Sequence, residues 1–455
     1  MPDAYSRTYD VIVAGGGVSG SMAAISAARL GAKTLVVEPS GFLGGTLTSC
    51  GVGPMMGFFA GEKQVVFGLM QEVVDRLIAK GASVGHVRDT TGFISYVTPF
   101  RSEPLKRVLD EMLIDSGAQV LFHTTAADAR AEGRRVEELT LSGKDGLHAV
   151  KAAVYVDATG DGDLMHRAGA ASVIGRPGDS ASQPMTLKMR YTGVDRDRLI
   201  SHILKNPGEF PTIIPDLLVS GRPISVAGFV SAFRMAKERG ELDIPRENLL
   251  MFETSLPGEF IINTTRVIGY DGSSAFSLSL AEMEGRKQAE QLHRFISSYV
   301  PGFEQAALVS TGPKIGVRGS RQLIGRYRLT QDDVLSARRF ESAIAHCGYP
   351  VDIHNPLGEG TQTRDIASSA GRSYYDIPYE VMLSSTLDNL LVTGRCISAD
   401  FSAQASLRVT PVAGSLGQAA GTAAFLAARK GGVTANIDIR ELQGMLRKNK
   451  AYIEE

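Results

Sequence analysis

The stretch Tyr9–Gly20, YDVIVAGGGVSG, decides the fold. Its first half is a short apolar run that glycines stop, which predicts a buried strand over Tyr9–Ala14. An alanine-rich helix over Ser21–Leu30 and a second buried strand over Lys33–Glu38 (KTLVVE) come next. Strand, helix and strand in this order form a βαβ unit. Because both strands are apolar on both faces, they predict a parallel sheet covered by helices.

A G-x-G-x-x-G pattern, Gly15, Gly17 and Gly20, lies between the first strand and the helix. In this context the first glycine permits a tight turn, the second lets the backbone approach a pyrophosphate, and the third lets helix and strand pack closely. The N–H groups at the start of the helix would hold the phosphates. Glu38 ends the second strand, where a carboxylate accepts hydrogen bonds from an adenosine ribose and repels the 2′-phosphate of NADP. The alternative is a glycine-rich turn that binds nothing, followed by a surface glutamate.

Two further small-residue turns favour FAD over NAD as the dinucleotide. Gly44, Gly45 and Thr46 follow the second strand. An NAD site needs no second glycine cluster there, whereas a flavin needs bare backbone beside its ring. A buried strand over Ala153–Asp157 runs into the corner Ala158–Asp163 (ATGDGD), across which a dinucleotide can lie. Taken alone, the first of these turns is also compatible with a flexible loop and the second with an ordinary Gly/Asp turn.

The C-terminal part of the sequence supplies a third expected contact. Gly394 and Arg395 follow the short apolar strand Asn389–Thr393, and a helix rich in Ala and Gly is predicted over Pro411–Arg429. Glycines on one face of this helix let it lie close to a flat ligand or to another backbone. We expect its positive N-terminal end to face the flavin and stabilise the anionic reduced ring. The alternative is a tight contact between helix and sheet.

The rest of the chain predicts an α/β fold with an insertion. Helices are expected over 61–80 and 104–116, a strand over 119–124, and a small antiparallel meander over 126–152. The expected fold class is a Rossmann-like FAD-binding domain with a parallel sheet and that meander, plus an inserted α+β substrate domain. The predicted division is 1–171 and 386–435 for the two parts of the FAD-binding domain, 172–310 for the insertion, 311–385 for a mixed segment bordering the active site, and 436–455 for a C-terminal tail.

Composition excludes several other classes of protein. Lys and Arg number 48 and Asp and Glu 49, so the net charge of −1 is too small to attract nucleic acid or a membrane surface. The 50 glycines show no fixed period, which excludes collagen-like chains. Cys50, Cys347 and Cys396 form no C-x-x-C pair, which fits a reducing, cytoplasmic location. The first eight residues are polar and predict no secretory leader, and the apolar stretches 11–30 and 412–428 are too interrupted to predict a membrane span.

Several segments together resemble a known family: YDVIVAGGGVSGSMAA, GFLGGTLTS, VDATGDGDL, NLLVTGRCISADFSAQASLRV with GQAAGTAAFLA, GPKIGVRGSRQLIGRYRLTQDDV and YPVDIH. They resemble the FAD-dependent oxidoreductases of the glutathione-reductase-like flavoprotein class, and are distantly similar to fumarate reductase flavoproteins. The resemblance implies FAD extended across the sheet, a substrate domain over the flavin, and a backbone contact of Ala126 to the adenine. The predicted cofactor-binding residues are Gly15, Gly16, Gly17, Val18, Ser19, Gly20, Glu38, Pro39, Gly44, Gly45, Thr46, Ala126, Ala158, Thr159, Gly160, Asp163, Gly394, Arg395, Gly417 and Gln418.

An acid and an imidazole stand two residues apart in the predicted extended segment around Asp352 and His354, so both lie on the same side. Hydride transfer needs a group that takes or gives a proton, and histidine titrates near the working pH. His354 is therefore the first candidate for proton transfer, with a purely structural histidine as the alternative. The other histidines show no metal-ligand spacing, and no metal is expected.

Arginines around GSRQLIGRY are the expected binders of a substrate carboxylate. Arg318 and Arg321 are the candidates, because a guanidinium fork matches a carboxylate. The alternative is ion pairing with nearby acids: Asp332, Asp333 or Glu341. Further arginine candidates are Arg266, Arg326, Arg364 and Arg372.

The functional prediction is an FAD-dependent oxidoreductase that transfers hydride between flavin N5 and a small organic substrate, with a carboxylate as the favoured class. A dehydrogenase or reductase is favoured over an oxidase. Noncovalent FAD is expected because no histidine lies near residues 44–53, although Cys50 is a nucleophile in that loop. The alternatives are a flavin-dependent RNA-modifying protein and an FAD-binding electron-transfer subunit without its own turnover. The expected partner is a small-molecule substrate, with no nucleic acid and no membrane; the electron partner and the oligomeric state stay open.

Overall fold

The chain folds as a mixed α/β structure, and the computed structural model describes residues 8–367 and 372–454. Residues 1–7, on which most of the expectation about a leader depends, lie outside the described residues. In chain order the strands are β1 Thr8–Ala14, β2 Thr34–Glu38, β3 Met55–Met56, β4 Phe59–Ala60, β5 Lys63–Gln64, β6 Val87–Arg88, β7 Tyr96–Thr98, β8 Gln119–Phe122, β9 Thr125–Glu132, β10 Arg135–Gly143, β11 Gly146–Asp157, β12 Ser172–Ile174, β13 Met189–Thr192, β14 Ser225–Gly228, β15 Leu249–Glu253, β16 Phe260–Ile262, β17 Ala307–Thr311, β18 Arg321–Leu323, β19 Ala343–Cys347, β20 Val351–His354, β21 Thr361–Arg364, β22 Tyr375–Pro378 and β23 Leu390–Val392.

The helices surround these strands. In chain order they are α1 Val18–Arg29, α2 Leu69–Ala79, α3 Ser102–Ser116, α4 Asp163–Arg167, α5 Arg196–Lys205, α6 Pro215–Leu218, α7 Val230–Glu238, α8 Ala275–Tyr299, α9 Gln331–Leu335, α10 Phe401–Leu407, α11 Thr410–Ala428 and α12 Ile439–Lys448. Within the part of the chain that the structure describes, none of them is both long enough and apolar enough to cross a membrane.

The central sheet has the strand order β8-β2-β1-β11-β10-β9, with β23 paired to β11. The strands β8, β2, β1 and β23 run parallel, and β9, β10 and the first half of β11 form the antiparallel meander. This confirms the predicted fold class. One detail differs, because the meander and the buried strand at 153–157 share one continuous strand. The first half of β11 pairs with β10, and its second half pairs in parallel with β1.

The register of the parallel strands brings their carboxyl ends to one edge of the sheet. Ala14 lies opposite Val37 on one side and Asp157 on the other, and Asp157 lies opposite Val392. In sheets of this kind ligands bind just outside that edge. The four glycine-bearing turns that follow β1, β2, β11 and β23 therefore meet there.

Helices α1 and α11 touch backbone to backbone. A Cβ atom added at Gly417 would lie 2.0 Å from the carbonyl oxygen of Ser19, and one at Gly421 would lie 2.1 Å from that of Ala23. The glycines four apart on α11 therefore allow close packing, as their spacing predicted. They pack against helix α1 and not against the sheet. This contact holds α11 over the first βαβ unit and positions its N-terminus at the sheet edge.

A second sheet, antiparallel, has the order β14-β15-β16-β13-β17. Its apolar face and α8 bury a separate core that contains Met189, Tyr191, Phe260 and Phe295. The last strand of this sheet, β17, extends past residue 310, where the sequence predicted the insertion to end. The predicted C-terminal tail contains α12, whose apolar side packs into the main core.

The helix predicted over 61–80 is shorter in the structure. Its first residues form a hairpin of β4 and β5, and α2 begins only at Leu69. Gly68, the residue directly before α2, has φ +63°, which lies outside the right-handed helical region, so the helix cannot extend back through it toward residue 61. The apolar spacing of the sequence did not reveal this break.

The contact between α1 and α11 gives a test of stability. We expect Gly417→Ala to lower the free energy of unfolding by about 1–3 kcal/mol, because the new methyl group overlaps the α1 backbone. Gly444→Ala is the matched control, since nothing lies within 4 Å of a Cβ at that exposed helical position, and it should raise stability by about 0.5–1 kcal/mol. Urea unfolding of the FAD-loaded protein measures both. Equal midpoints for the two variants would contradict the packing.

Candidate active site

A cavity of about 360 Å³, here called the edge cavity, opens at the carboxyl edge of the central sheet. Its volume falls in the range of small-molecule and cofactor sites. The turns after β1, β2, β11 and β23 form its walls, together with residues of β9 and of α8. The predicted cofactor-binding residues that line it are Gly15, Gly17, Val18, Ser19, Glu38, Pro39, Gly45, Thr46, Ala126, Ala158, Thr159, Gly160, Asp163, Gly394 and Arg395.

Glu38 is held in the wall of the edge cavity by two backbone amides. The N–H of Gly16 donates to one carboxylate oxygen and the N–H of Ser40 to the other, both at 2.8 Å. The side chain is buried at the end of β2. Each carboxylate oxygen can accept a further hydrogen bond, which is what a ribose hydroxyl would need.

The three glycines of the first turn have three different environments. A Cβ at Gly20 would lie 1.8 Å from the carbonyl oxygen of Gly15, so this position serves the packing of the turn on the helix. A Cβ at Gly15 would lie 2.5 Å from the carbonyl oxygen of Ala158, and its φ of +94° favours glycine. At Gly17 the nearest atom would be the Cα of Gly45, 3.8 Å away. Gly17 therefore exposes its backbone to the cavity and is not in tight contact with another part of the chain.

Unpaired donors line the edge cavity. Arg395 forms an ion pair with Asp161 at 2.5 Å, which leaves its buried Nε without a hydrogen-bond partner. The Nη1 atom of Arg167, also in the cavity wall, is buried and unpartnered. Buried guanidinium N–H groups without acceptors are costly, and an anionic group such as a pyrophosphate would satisfy them. The donor set thus fits a dinucleotide cofactor.

The remaining predicted cofactor residues do not line the edge cavity. Gly16, Gly20 and Gly44 support the turns from behind; the N–H of Gly44, for example, donates to the carbonyl oxygen of Gly16 at 2.9 Å. The assignment of Gly417 and Gln418 is wrong, because the helix α11 turns that face away from the cavity. Gly417 packs on α1, and the Gln418 side chain bridges the backbones of α2 and the α12 end, accepting from Leu69 N at 2.9 Å and donating to the Asn449 carbonyl at 3.1 Å.

A smaller cavity of about 170 Å³, here called the cationic cavity, adjoins the edge cavity. The two share several wall residues: Thr46, Val317, Arg395, Arg408 and Thr410. The polar and ionisable side chains that line the cationic cavity also include Thr186, Lys188, Asn263, Arg318, Tyr349, Asp352 and His354. Thr410 is the first residue of α11, so the positive end of that helix points to the junction of the two cavities.

His354 and Asp352 form the pair that the sequence predicted on β20. Their Nε2 and Oδ2 atoms lie 3.3 Å apart, and the Nδ1 atom of His354 lies 3.2 Å from Nη2 of Arg266. Arginine only donates, so Nδ1 accepts and the ring proton is on Nε2, which donates to Asp352. Burial and the nearby Arg318 lower the pKa of His354 to about 3, so the ring is neutral at pH 7.

Of the two predicted catalytic arginines, the structure brings only Arg318 to this cavity. Arg318 is held by Thr186 Oγ1 at 2.7 Å and by the carbonyl oxygen of Pro184. Burial, with Arg408 close by, lowers its pKa well below the usual value. Arg321 does not line the cationic cavity; it lies beside the wall of the edge cavity, where it pairs with Asp163 at 2.9 Å and donates to the carbonyl oxygen of Asp161 at 3.2 Å.

The further arginine candidates have different surroundings. Arg266 is buried behind His354 and donates to the carbonyl oxygen of Gly360 at 2.9 Å. Arg364 is exposed on β21, and Arg372 pairs with Asp376.

Two charged residues of the site escaped the sequence reasoning: Lys188 and Arg408. A signal for Lys188 exists, because residues 185–191 alternate, with Met185, Leu187, Met189 and Tyr191 in the second core. That alternation places Lys188 on the opposite face, although nothing in the sequence shows that a cavity lies there. Arg408 caps the end of α10, and only the fold brings it beside β20.

The fold and the edge cavity define an α/β dinucleotide-binding protein with the architecture of a flavoprotein. The chain belongs to the FAD dependent oxidoreductase family, whose family model matches residues 10–446. FAD is therefore its cofactor. The narrower likenesses to glutathione-reductase-like and fumarate reductase flavoproteins are not shown by this match.

Comparisons with individual proteins agree with the fold. A geranylgeranyl bacteriochlorophyll reductase-like protein from Thermoplasma acidophilum is 15% identical, with a TM-score of 0.52 over 97% of this chain and 84% of that one. A flavin-dependent brominase is 13% identical, with a TM-score of 0.49 over 97% of this chain and 83% of that one. A dihydrolipoyl dehydrogenase of Trypanosoma brucei brucei is 56% identical over 46 residues, which is 10% of this chain and 10% of that protein.

Gly17 gives a test of the cofactor site that is separate from stability. We expect Gly17→Ala to fold normally, since its φ of −64° suits alanine and the protein leaves room for a Cβ, but to bind FAD about tenfold or more weakly. Gly20→Ala, the matched control, should instead unfold at a clearly lower temperature, because its Cβ would lie 1.8 Å from the carbonyl oxygen of Gly15. FAD fluorescence titration and thermal unfolding separate the two effects. Unchanged FAD affinity in Gly17→Ala would rule out this placement of the cofactor.

The state of His354 can be read directly. At pH 5 we expect a neutral ring with its proton on Nε2, whereas an ordinary histidine with a pKa of 6.5 would be protonated. Because the unfolded chain takes up this proton and the folded one does not, His354 makes the protein lose stability as the pH falls from about 6.5 toward 3. Long-range ¹H–¹⁵N spectra, assigned with His354→Gln, measure the tautomer. An imidazolium pattern at pH 5 would refute the arrangement.

Proposed function

We propose that this protein transfers hydride between FAD and a small organic substrate that carries a carboxylate, and that the substrate binds in the cationic cavity. The observation that supports the substrate class is the charge of the cavity wall. Arg318 and Arg408 line it, and among the described wall residues Asp352 is the single carboxylate. Buried positive charge that exceeds its protein partners is stabilised by a bound anion.

The side chains of the cavity are held in place before any substrate arrives. Arg318 is fixed by Pro184 and Thr186, and Nη2 of Arg408 lies 3.5 Å from Gln183 and 3.4 Å from the Asp352 carbonyl oxygen. The Nε atom of Arg408 is buried without a partner. Guanidinium groups fixed in this way bind a carboxylate with little loss of conformational freedom.

The apolar part of the wall has a second role. Val52, Pro54, Met56 and Val409 line the cavity beside the cations. A site that excludes water strengthens the electrostatic interactions within it. When bound, FAD would supply a two-electron acceptor or donor, and the wall residues shared by the two cavities support a substrate position next to the cofactor site.

Noncovalent binding of FAD is part of the proposal. Cys50 lines the edge cavity, but its thiol lies 3.5 Å from the carbonyl oxygen of Ile315, to which it donates. Burial raises its pKa to about 11, so at neutral pH it is a thiol rather than a nucleophilic thiolate. The burial of the cations also favours a small anionic molecule over RNA as the ligand. A dehydrogenase or reductase stays favoured over an oxidase, with an electron partner still to be identified.

Anaerobic bleaching of the FAD absorption band tests the proposal. A panel of 2-hydroxy acids (lactate, malate and 2-hydroxyglutarate) is compared with the methyl esters of the same acids. We expect at least one free acid to bleach the flavin and its ester to be far slower, because the ester lacks the charge that the arginines bind. Equal rates for acids and esters would show that the cationic cavity does not select a carboxylate. Reoxidation with air then reports whether oxygen is a fast acceptor.

Substitution of Arg318 gives the residue-level test. We expect Arg318→Gln to weaken binding of the effective acid by about 1.5–3 kcal/mol, which is roughly 10–150-fold, while FAD stays bound. Arg364→Gln on exposed β21 is the control and should leave both affinities unchanged. Spectral titration of the FAD-loaded variants with the acid provides both numbers. A variant that loses FAD and acid together would place Arg318 in the cofactor site instead.

A further inference from the structure

Lys188 has an unusual position for a lysine. It lies just before β13 and is 6% exposed, with Leu187 and Met189 on either side directed into the second core. Its own side chain lines the cationic cavity, on the same face as Thr186. Among residues 8–367 and 372–454, no hydrogen bond or ion pair engages its amine. A buried lysine is almost always paired, so an unpaired one beside a cavity indicates a function.

The groups around Lys188 are mostly cations. Burial, together with Arg318, Arg246 and Arg408, lowers the pKa of Lys188 well below its usual value, while Cys50 opposes this shift. The other ionisable groups that line the same cavity are Tyr349, Asp352, His354 and Arg395. Asp352 is already engaged by His354 and Arg408. The amine of Lys188 can therefore offer a free lone pair when neutral and three donors when protonated.

His354, the first candidate from the sequence, is less suited to exchange a proton with a substrate. Both of its ring nitrogens are occupied, Nδ1 by Arg266 and Nε2 by Asp352. A general base needs a free lone pair directed at the proton that it takes. His354 and Asp352 therefore have a positioning role on the wall of the cavity.

We infer that Lys188 is the residue that exchanges a proton with the substrate in the cationic cavity. This inference rests on the proposed function, because it assigns a role in the same reaction. It is carried by three structural observations: the amine lines the cavity, it has no partner among the described residues, and the imidazole that lines the same cavity is occupied on both sides.

The proton and the electrons balance as follows for a 2-hydroxy acid. The substrate C–H bond breaks with its electron pair, and this hydride equivalent goes to FAD, the oxidant of the family. The O–H bond of the substrate breaks, and its proton forms a new N–H bond on the Lys188 amine while the C–O bond becomes C=O. The products are a 2-oxo acid, the two-electron-reduced cofactor and a lysine ammonium. The reverse direction uses the ammonium as the acid.

A spectroscopic test needs no turnover. In FAD-loaded protein labelled with [¹³Cε]lysine, the Lys188 signal, assigned by its loss in Lys188→Met, should titrate at clearly lower pH than the signals of surface lysines. Lys144 is a suitable comparison, because it is exposed in the turn between β10 and β11. Binding of oxalate, used as an unreactive dianion, should move the Lys188 titration to higher pH, because the anion stabilises the ammonium. A Lys188 signal that titrates with the surface lysines overturns the inference.

The kinetic test uses two variants and the acid that bleaches the flavin fastest. Lys188→Met and Lys188→Arg should both slow flavin reduction at saturating acid by about 10²–10⁴-fold, with FAD retained. If Lys188 only supplies positive charge, Lys188→Arg restores the rate, and the inference fails. Added methylamine should partly restore Lys188→Ala but not His354→Gln, since only the first variant lacks a base.

The two proposals fail in different ways. If no acid of the panel bleaches the flavin, the proposed substrate class is wrong, and the NMR titration still decides whether Lys188 is an unprotonated amine. If an acid bleaches the flavin and Lys188→Arg retains the rate, the proposed function stands and the role of Lys188 is disproved.

Discussion

The register between β1 and its two parallel neighbours is the constraint on which the rest of the structure depends. It aligns Ala14, Val37 and Asp157 at one edge, and Val392 continues the row. Because side chains alternate along a strand, a slip of one residue would exchange the buried and the cavity faces of every strand end. The turns that follow would then no longer meet. The edge cavity of this chain is thus shaped by main-chain geometry before any side chain contributes.

The cationic cavity shows how a folded chain keeps charge that it does not neutralise. Arg318 and Lys188 are buried next to one another, and burial depresses the pKa of each. Such an arrangement opposes folding, since charge is removed from water without a full complement of counter-charges. It persists at a site because the anion that completes it is the ligand. The same depression favours the neutral form of the Lys188 amine, which is the form that can take a proton.

Local sequence predicted most of what the backbone does here, and little of what distant side chains do. The βαβ unit, the meander and the glycine turns follow from apolar runs and from turn residues that span only short segments. Their convergence follows because the carboxyl ends of parallel strands lie at one edge of the sheet. The pair Asp352 and His354 was predictable because two residues in one strand share a face. The contacts of Arg321 and Gln418 could not be predicted, because the direction of a side chain on a known element depends on packing partners remote in sequence. Lys188 and Arg408 meet only through the fold, from segments 220 residues apart.

Strand β11 belongs both to the antiparallel meander and to the parallel sheet, which restricts where residues can be inserted or deleted. Its first half belongs to a hairpin with β10 that ends at Gly143 and Gly146, away from the cavity, and its second half carries Asp157 to the edge of the sheet. Extra or missing residue pairs at the hairpin tip leave the parallel half in register. A single inserted residue between Lys151 and Asp157 would displace the ATGDGD corner and rotate it to the opposite face. Homologous chains should therefore differ freely in the length of that tip, while the distance from Lys151 to the corner stays constant.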